Sequence, residues 1–188
     1  MFIDYRTGVL SYLAADWVEG IGSNTVVTSM DFDDAADAYA MVLSETTQLG
    51  DFAPVVAGTV ALSELQALAS SEGSQGRVLT AAAFRGNGDV AYVSHGWTLA
   101  GSTTYDAKVV ASSAGSVADD ATSLAAEGYV ITAFGSGSSE TYGFVMVGTR
   151  VSGDTTPRQL QLVGRPSPGF AIVGYLYDGT GFRVIAEQ

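Results

Sequence analysis

The chain repeats one stretch of its own sequence, Thr25-Val-Val-Thr-Ser-Met-Asp-Phe32. It returns 52 residues later as Arg77-Val-Leu-Thr-Ala-Ala-Ala-Phe84, and after a further 52 as Tyr129-Val-Ile-Thr-Ala-Phe134, with no gaps. A more diverged copy, Phe170-Ala-Ile-Val-Gly-Tyr-Leu-Tyr177, follows after 41 residues. Self-similarity at a fixed period indicates tandem units that bury their apolar faces against one another.

The second copy predicts the order strand, helix, strand, strand. Its first strand runs over residues 52–57, with Pro54 typical of a strand start or a sheet edge. Leucines at helical spacing follow, and Ser63 with Gln66 fits a capping box. The helix is expected to end at Glu72-Gly73, with a hairpin over 77–84 and 90–97.

The first and third copies repeat this order. The third predicts a strand over 105–111, a helix over 116–127 capped by Ser116, and a hairpin over 129–135 and 142–151. The first predicts a strand over 2–5, a helix through Val9 and Trp17, and a hairpin over 25–32 and 38–44. All three helices end in Glu-Gly, which predicts that Gly20, Gly73 and Gly128 lie just past helix ends.

The fourth copy departs from the pattern. Between the predicted strands 158–163 and 170–177 lies Gly164-Arg-Pro-Ser-Pro-Gly169, where two prolines and two glycines exclude a helix. Either this unit caps the array, or its uncovered face, with Ile172, Leu176 and Val184, is a docking surface. We favour cover from a partner or from a second copy of the chain.

Strict alternation in the hairpins places Val26, Thr28, Met30 and Phe32 on one side and Val27, Ser29 and Asp31 on the other. On the second side the middle position is small in every copy, namely Ser29, Ala81, Ala133 and Gly174. A small residue lets another backbone approach closely, either the covering helix or a strand of another unit.

The fold class predicted is therefore α+β, a single compact repeat domain over 1–188. Its units are approximately 1–49, 50–102, 103–155 and 156–188, with mostly antiparallel sheets. The units are arranged either like blades around an axis or as paired larger sheets, since both protect sheet edges.

The amino-acid composition limits the classes of partner and chemistry that we expect for this chain. The 188 residues are 47% hydrophobic and 15% charged, and 20 carboxylates against 8 cations give a net charge of -12. Without clustered Lys and Arg we expect no nucleic-acid partner. The chain contains no cysteine, which removes thiolate chemistry. Asp4, Arg6, Asp16 and Glu19 fit neither a secretory signal nor a membrane span.

An acidic run, Asp31-Phe-Asp33-Asp34-Ala-Ala-Asp37, marks the first hairpin loop. Calcium prefers several such oxygens on a flexible turn. The sister loops lack the pattern and the run lacks EF-hand spacing, so we favour a solvated acidic turn and expect no cofactor, with calcium as the alternative ligand.

The chain has one histidine, His95, which is the natural candidate for acid–base chemistry. Fixed spacing aligns it with Leu43 and Val147, both apolar, so we favour a structural histidine on a packed face. No Gly-x-Ser-x-Gly elbow follows a strand. We assign no catalytic residue and favour a protein that is not an enzyme; a hydrolase using paired carboxylates is the third hypothesis.

Aromatic side chains supply the candidate binding residues. Tyr175, Tyr177 and Phe182 crowd the last hairpin and Trp97 ends the second. With Ile172 and Leu176 they form the predicted partner-binding set, although filling a core is the simpler role for strand aromatics.

The function that the sequence favours is a non-enzymatic interaction or structural module that binds a protein partner or its own copies. The alternative is a carbohydrate or small-ligand binder with an aromatic groove between units. Low lysine with abundant Ala, Gly, Ser and Thr is typical of an exported or surface-associated protein. Any export signal would then lie outside this sequence.

Overall fold

The computed structural model describes residues 2–4, 25–33, 38–45, 52, 54–136, 143–177 and 182–188. Within them lie twelve strands and two α-helices. The strands are β1 Phe2–Asp4, β2 Thr25–Asp33, β3 Ala38–Glu45, β4 Val55–Ala61, β5 Arg77–Phe84, β6 Asp89–Gly96, β7 Tyr105–Ser112, β8 Val130–Ser136, β9 Phe144–Val151, β10 Leu160–Val163, β11 Ala171–Tyr177 and β12 Phe182–Glu187. The helices are α1 Leu62–Ser74 and α2 Val117–Ala126. The predicted helix through Val9 and Trp17, with Gly20, lies outside the described residues.

The strands form four three-stranded sheets, with the orders β1-β3-β2, β4-β6-β5, β7-β9-β8 and β10-β12-β11. All the pairings are antiparallel, and in each sheet the last strand in the chain lies in the middle. Several small antiparallel sheets with two helices make the α+β class a confirmed prediction. We call them the first to fourth sheets in chain order.

Strict alternation in the hairpins is wrong, because each of β2, β5, β8 and β11 carries a register shift near its middle. The shifts fall between Val27 and Ser29, Leu79 and Ala81, Ile131 and Ala133, and Ile172 and Gly174. A bulge adds one residue to one strand, so the residues before and after it change sides. Leu79 therefore shares a side with Ala82 and Phe84, while Ala81 shares the other with Ala83.

Small residues of β5 and β8 lie where strands of different sheets meet. Strand β2 contacts β5, β5 contacts β8, and β8 contacts β11. Ala81 of β5 packs with Val27 and Met30 of β2. A Cβ on Gly135 of β8 would lie 2.2 Å from the carbonyl oxygen of Ala82. Approach by a strand of another sheet therefore explains Ala81 and Ala133, which pack on β2 and β5, whereas Ser29 is exposed.

Helix α1 begins without the predicted capping box. Its N-cap is Ala61, with no side-chain capping bond, and Ser63 lies inside the helix. Gln66 instead binds the outer edge of β7: its Nε2 donates to the Ala107 carbonyl at 2.9 Å and its Oε1 accepts from the Val109 N–H at 2.8 Å. The amide replaces the strand partner that this edge lacks. In α2, Ser116 is the N-cap as predicted, although its hydroxyl binds Ser113.

The two described Glu-Gly pairs differ at the ends of their helices. Gly128 follows α2 with φ 87°, as predicted. Gly73 lies inside the last turn of α1, and the glycine with positive φ is Gly76, at 75°. The prediction for Gly73 is therefore wrong. A glycine is needed there because a Cβ would lie 2.3 Å from the Tyr105 carbonyl oxygen of β7.

Neither described helix is long and apolar enough to cross a lipid bilayer.

Replacing Leu65 with alanine tests the docking of α1. The Leu65 side chain is completely buried between the helix and the second sheet. We expect Leu65→Ala to lower the free energy of unfolding by about 2 to 5 kcal/mol in urea titrations, because it leaves a cavity. The exposed neighbour Glu64 provides the control, and Glu64→Ala should change stability little. Equal stability of the two variants would show that α1 is not docked.

Gly73→Ala tests the contact between α1 and β7. The added methyl group meets backbone, which cannot rotate away, so we expect a loss of about 1 to 3 kcal/mol in the same titrations. Gly115→Ala is the control, since there the nearest atom would be Ser113 Oγ at 3.8 Å. A stable Gly73→Ala variant would contradict this close approach.

Candidate functional site

The fourth sheet carries most of the residues that the sequence singles out for binding. Ile172, Tyr175, Leu176 and Tyr177 lie on β11 and Phe182 on β12. Residues paired across antiparallel strands lie on the same side of the sheet. Tyr177 pairs with Phe182, and Leu176 pairs with Arg183. The register therefore corrects the predicted face: position 176 lies on the side opposite positions 172, 175, 177 and 182.

One side of this sheet is covered by the third sheet and its helix. Ile185 of β12 is completely buried in a cluster with Val117 and Leu124 of α2, and Leu160 and Leu162 of β10 pack against that cluster. The opposite side contains position 172 and its partner Ala186, which is itself fully buried. The other positions on that side are 175, 177, 182 and 184, and they lie towards the connection between β11 and β12.

The same register positions in the second sheet lie beneath α1 and against the third sheet, which contributes Ala133, Val145 and Val147 to the same cluster. There Leu65 and Ala69 of the helix pack on the side of the sheet formed by Leu79, Ala82, Phe84, Val90 and Tyr92. Counting from the bulge, these five positions correspond to 172, 175, 177, 182 and 184. The chain between β10 and β11, all of it described, contains no helix, so the prediction of a helix-free fourth unit agrees with the observed elements.

Trp97 follows β6 of the second sheet and so lies on a different sheet from the other aromatic candidates. Its side chain is 38% exposed and stacks on Phe52, with ring centroids 6.4 Å apart.

The acidic run is described only in part. Asp31 and Asp33 lie on β2, and residues 34 and 37 are outside the described part of the chain. Oδ1 of Asp31 accepts hydrogen bonds from its neighbour's backbone, the Phe32 N–H, at 3.0 Å and from the Ser136 hydroxyl at 3.3 Å. Among the described residues, no three acidic or histidine side chains are grouped so as to hold a metal ion.

His95 is buried at the boundary between the first and second sheets. Its Nε2 accepts a hydrogen bond from the Val27 N–H of β2 at 3.2 Å. Nδ1 therefore carries the proton of the neutral ring, and it faces the Phe52 backbone without a well-formed hydrogen bond. Burial lowers the pKa of His95 to about 4, an effect that the Phe52 backbone partly opposes. The imidazole is therefore neutral at neutral pH and acts as an acceptor for a neighbouring strand.

The strand pairing also shows that the sequence alignment assigned the wrong residues to the position of His95 in the other sheets. His95 pairs with Val78, one residue before Leu79 at the bulge. The same place in the other sheets is occupied by Ser44, Thr149 and Glu187. The alignment with Leu43 and Val147 is wrong, because bulges and unequal hairpins break the fixed spacing. Sequence reasoning missed Glu187, which the register identifies.

Glu187 repeats the contact of His95 at the boundary between the third and fourth sheets. Its Oε2 accepts a hydrogen bond from the Ile131 N–H of β8 at 2.7 Å, and Oε1 has no hydrogen-bond partner. The residue is 4% exposed. Burial raises the pKa of Glu187 to about 7, although the Ile131 N–H and the charge of Arg158 both act in the opposite direction.

A second buried carboxylate, that of Glu72, closes the end of α1. Arg77 donates to both oxygens of Glu72, each at 2.6 Å, and the Ser94 hydroxyl donates to Oε2. The hydrogen bond from Arg77 is the main reason that the pKa of Glu72 lies below its ordinary value, against the effect of burial. Tyr92 lies beneath the helix, and burial raises the pKa of its phenol. Arg77 neutralises Glu72, so the cluster is an internal ion pair.

A cleft of about 400 Å³ lies between α1 and β7. It is lined by Ser70, Ser74, Thr104, Tyr105, Asp106, Ala107 and Ser152. Its carboxylate, Asp106, accepts hydrogen bonds from Ser152 at 3.0 Å and Arg150 at 3.3 Å. The hydrogen bond from Ser152 is the first reason that the pKa of Asp106 is lowered.

No protein-family model, curated protein or solved structure matches the chain.

Removing the cation beside Glu72 tests the ion pair. We expect Arg77→Met to lower the free energy of unfolding at pH 7 by about 3 to 5 kcal/mol, because it leaves a buried carboxylate unpaired. The double variant Glu72→Gln/Arg77→Met should recover most of this loss, as no charge remains to be compensated. A double variant no more stable than Arg77→Met would contradict this account.

Proposed function

We propose that this protein is a non-enzymatic interaction module whose fourth sheet binds an amphipathic helix of a partner protein. The observation that carries the proposal is the match in register between the second sheet, which α1 covers, and the fourth sheet, which has no helix of its own. An apolar strand face is costly to leave in water, so the same positions favour the same kind of cover.

The proposal treats the four sheets as tandem pseudo-repeats of strand, helix, strand and strand, in a blade-like or paired-sheet arrangement. The common strand order supports it, as does the bulge in the same strand of each sheet. The contacts of β2 with β5, β5 with β8 and β2 with β8 fit units grouped around a shared centre. Terminal repeats of such arrays often depart from the pattern.

The packing of α1 indicates the chemistry of the partner. Leu65 and Ala69 supply its apolar stripe. The buried Glu72 of α1 depends on Arg77 and on Ser94, which pairs with Leu79. The fourth-sheet position that matches Ser94 is Ala186. A helix suited to the fourth sheet is therefore apolar where α1 carries Glu72.

The polar groups described support a role without catalysis. His95 and Glu187 each accept a backbone N–H, and Glu72 is held by Arg77 and Ser94. No described group combines a nucleophile, a base and an orienting residue in one place. The low-lysine composition supports an exported or surface-associated protein.

A small polar ligand is the second candidate, and the cleft beside β7 is the observation that favours it. The hydroxyl groups of Ser70, Ser74, Thr104 and Ser152, with the ring of Tyr105, are suited to a sugar. Isothermal titration of mono- and disaccharides against Asp106→Asn and the unaltered protein would test it.

A peptide copy of α1 provides the probe for helix binding. It contains residues 62–76 with Glu72→Ala and carries a hydrocarbon staple between Ala67 and Ser71, both exposed in α1. The staple is needed because short helices are marginal in water. By fluorescence anisotropy we expect saturable binding that Tyr175→Glu weakens by ~10-fold or more, since a charge would be buried without a partner.

Val151→Glu is the matched control, because Val151 is an exposed apolar residue on the third sheet and its substitution should leave binding unchanged. Circular dichroism checks that both variants fold, and Tyr177→Lys replaces Tyr175→Glu if that variant does not. Light scattering identifies a second copy as the occupant if the protein dimerises and Tyr175→Glu gives monomers. A monomer that does not bind the peptide would overturn the proposal.

A further inference from the structure

His95 and Glu187 occupy the same register position in two different sheets. Each lies on the middle strand of its sheet. His95 pairs with Val78, one residue before Leu79 at the bulge of β5, and Glu187 pairs with Ala171, one residue before Ile172 at the bulge of β11. The third sheet has Thr149 there, paired with Val130, and the first has Ser44, paired with Val26. Two of the four positions therefore hold a group that titrates and two hold a hydroxyl.

The two titrating side chains make the same contact across a sheet boundary. His95 of the second sheet accepts the N–H of Val27, and Glu187 of the fourth accepts the N–H of Ile131. Val27 and Ile131 hold the same place, directly before the bulges of β2 and β8. Each N–H therefore belongs to the outer edge of its own sheet and bonds to the neighbouring sheet.

Both side chains are more than nine-tenths buried. Oε1 of Glu187 has no hydrogen-bond partner, and Nδ1 of His95 faces the Phe52 backbone without a well-formed hydrogen bond. A buried group that lacks part of its hydrogen bonding is sensitive to its own charge state. A charge on either side chain would therefore lie at the boundary between two sheets. The Phe52 backbone at His95, and the Ile131 N–H with Arg158 at Glu187, compensate such a charge less than burial opposes it.

Few charged groups surround Glu187. Strands β8 and β10 contain no ionisable side chain, and β11 contributes Tyr175 and Tyr177. Arg158, which precedes β10, acts on Glu187 but is itself paired with Asp154 at 2.7 Å. The others on the packed elements are Arg183 on β12 and, in the first turn of α2, Asp119 and Asp120.

Around His95 the ionisable residues of the packed strands lie elsewhere in the sheets. Strand β4 contains none, and β2 carries Asp31 and Asp33 beyond its bulge. Arg77 on β5 is held by Glu72, and Asp89 lies at the opposite end of β6 from His95.

We propose that these two residues make the sheet boundaries respond to pH in opposite directions: the third–fourth boundary weakens as pH rises and the first–second boundary weakens as pH falls. The residue at the shared position decides which way each boundary responds. The hydroxyl of Thr149 gives its position no response in this range.

The direction follows from the proton balance. The pKa of Glu187 is raised from 4.5 to about 7, so between these values the folded protein binds more protons than the unfolded chain, and stability falls as pH rises. The pKa of His95 is lowered from 6.5 to about 4, so the unfolded chain binds more protons in that window, and stability is lost as pH falls through it. From about pH 4.5 to 6.5 the two effects oppose each other.

Amide hydrogen exchange at Val27 and Ile131, corrected for intrinsic rates, measures each boundary separately between about pH 4 and 8. We expect the opening constant of Ile131 to rise with pH by on the order of a hundredfold and that of Val27 to fall. In Glu187→Gln, which keeps an acceptor oxygen, the pH dependence at Ile131 should disappear while Val27 is unchanged. In His95→Gln the dependence at Val27 should disappear and Ile131 should be unchanged.

Urea titrations over the same pH range provide a second measurement. In Glu187→Gln only the effect of His95 remains, so the free energy of unfolding should rise with pH. In His95→Gln only the effect of Glu187 remains, so the free energy of unfolding should fall with pH. If a glutamine variant does not fold, Glu187→Thr or His95→Thr replaces it, since the third sheet already has threonine at this position. Unaltered pH dependence of the Ile131 amide in the Glu187 variants would overturn the proposal for that boundary, and the same result at Val27 would overturn it for the other.

Discussion

The close approach of strands from different sheets is the constraint on which the other features depend. Strands β2, β5 and β8 lie at the edges of their own sheets and contact one another. Gly135 admits the carbonyl oxygen of Ala82 at a distance that no side chain would allow, and Ala81 packs directly on β2. Backbones this close leave room only for small residues, which is why β5 and β8 carry Ala81 and Gly135 at these contacts.

Edge strands brought into a protein interior carry backbone groups that need partners. Here side chains supply several of them. His95 and Glu187 accept N–H groups of β2 and β8, and the Gln66 amide binds both a carbonyl and an N–H of β7. The sheets are thus joined by specific polar contacts as well as by apolar packing. The same contacts bury ionisable groups, which is why the pKa values of His95 and Glu187 move so far.

The helices complete the sheets and also join them. Helix α1 covers the second sheet, and its Gly73 and Gln66 fit against β7 of the third. Helix α2 meets the fourth sheet in the same way, where its Ala125 carbonyl accepts the Arg158 N–H at 2.8 Å. The fourth sheet receives a helix from its predecessor and has none of its own. This asymmetry is the observation on which the proposed binding of a partner helix rests.

Alternation, helical spacing and proline act locally, so the sequence was enough to predict the described order of strands and helices, the strand positions to within a few residues and the absence of a helix between β10 and β11. It also marked the small positions. What those positions contact depends on strand pairing, which also creates the bulges that reverse the sides predicted for Val27 and Leu79. The sequence pattern predicts Gly73 as a helix terminator, whereas in the structure it contacts β7. No sequence pattern marks Glu187, which binds the Ile131 N–H. Both roles depend on backbone atoms far away along the chain, at Tyr105 and Ile131, which local patterns do not encode.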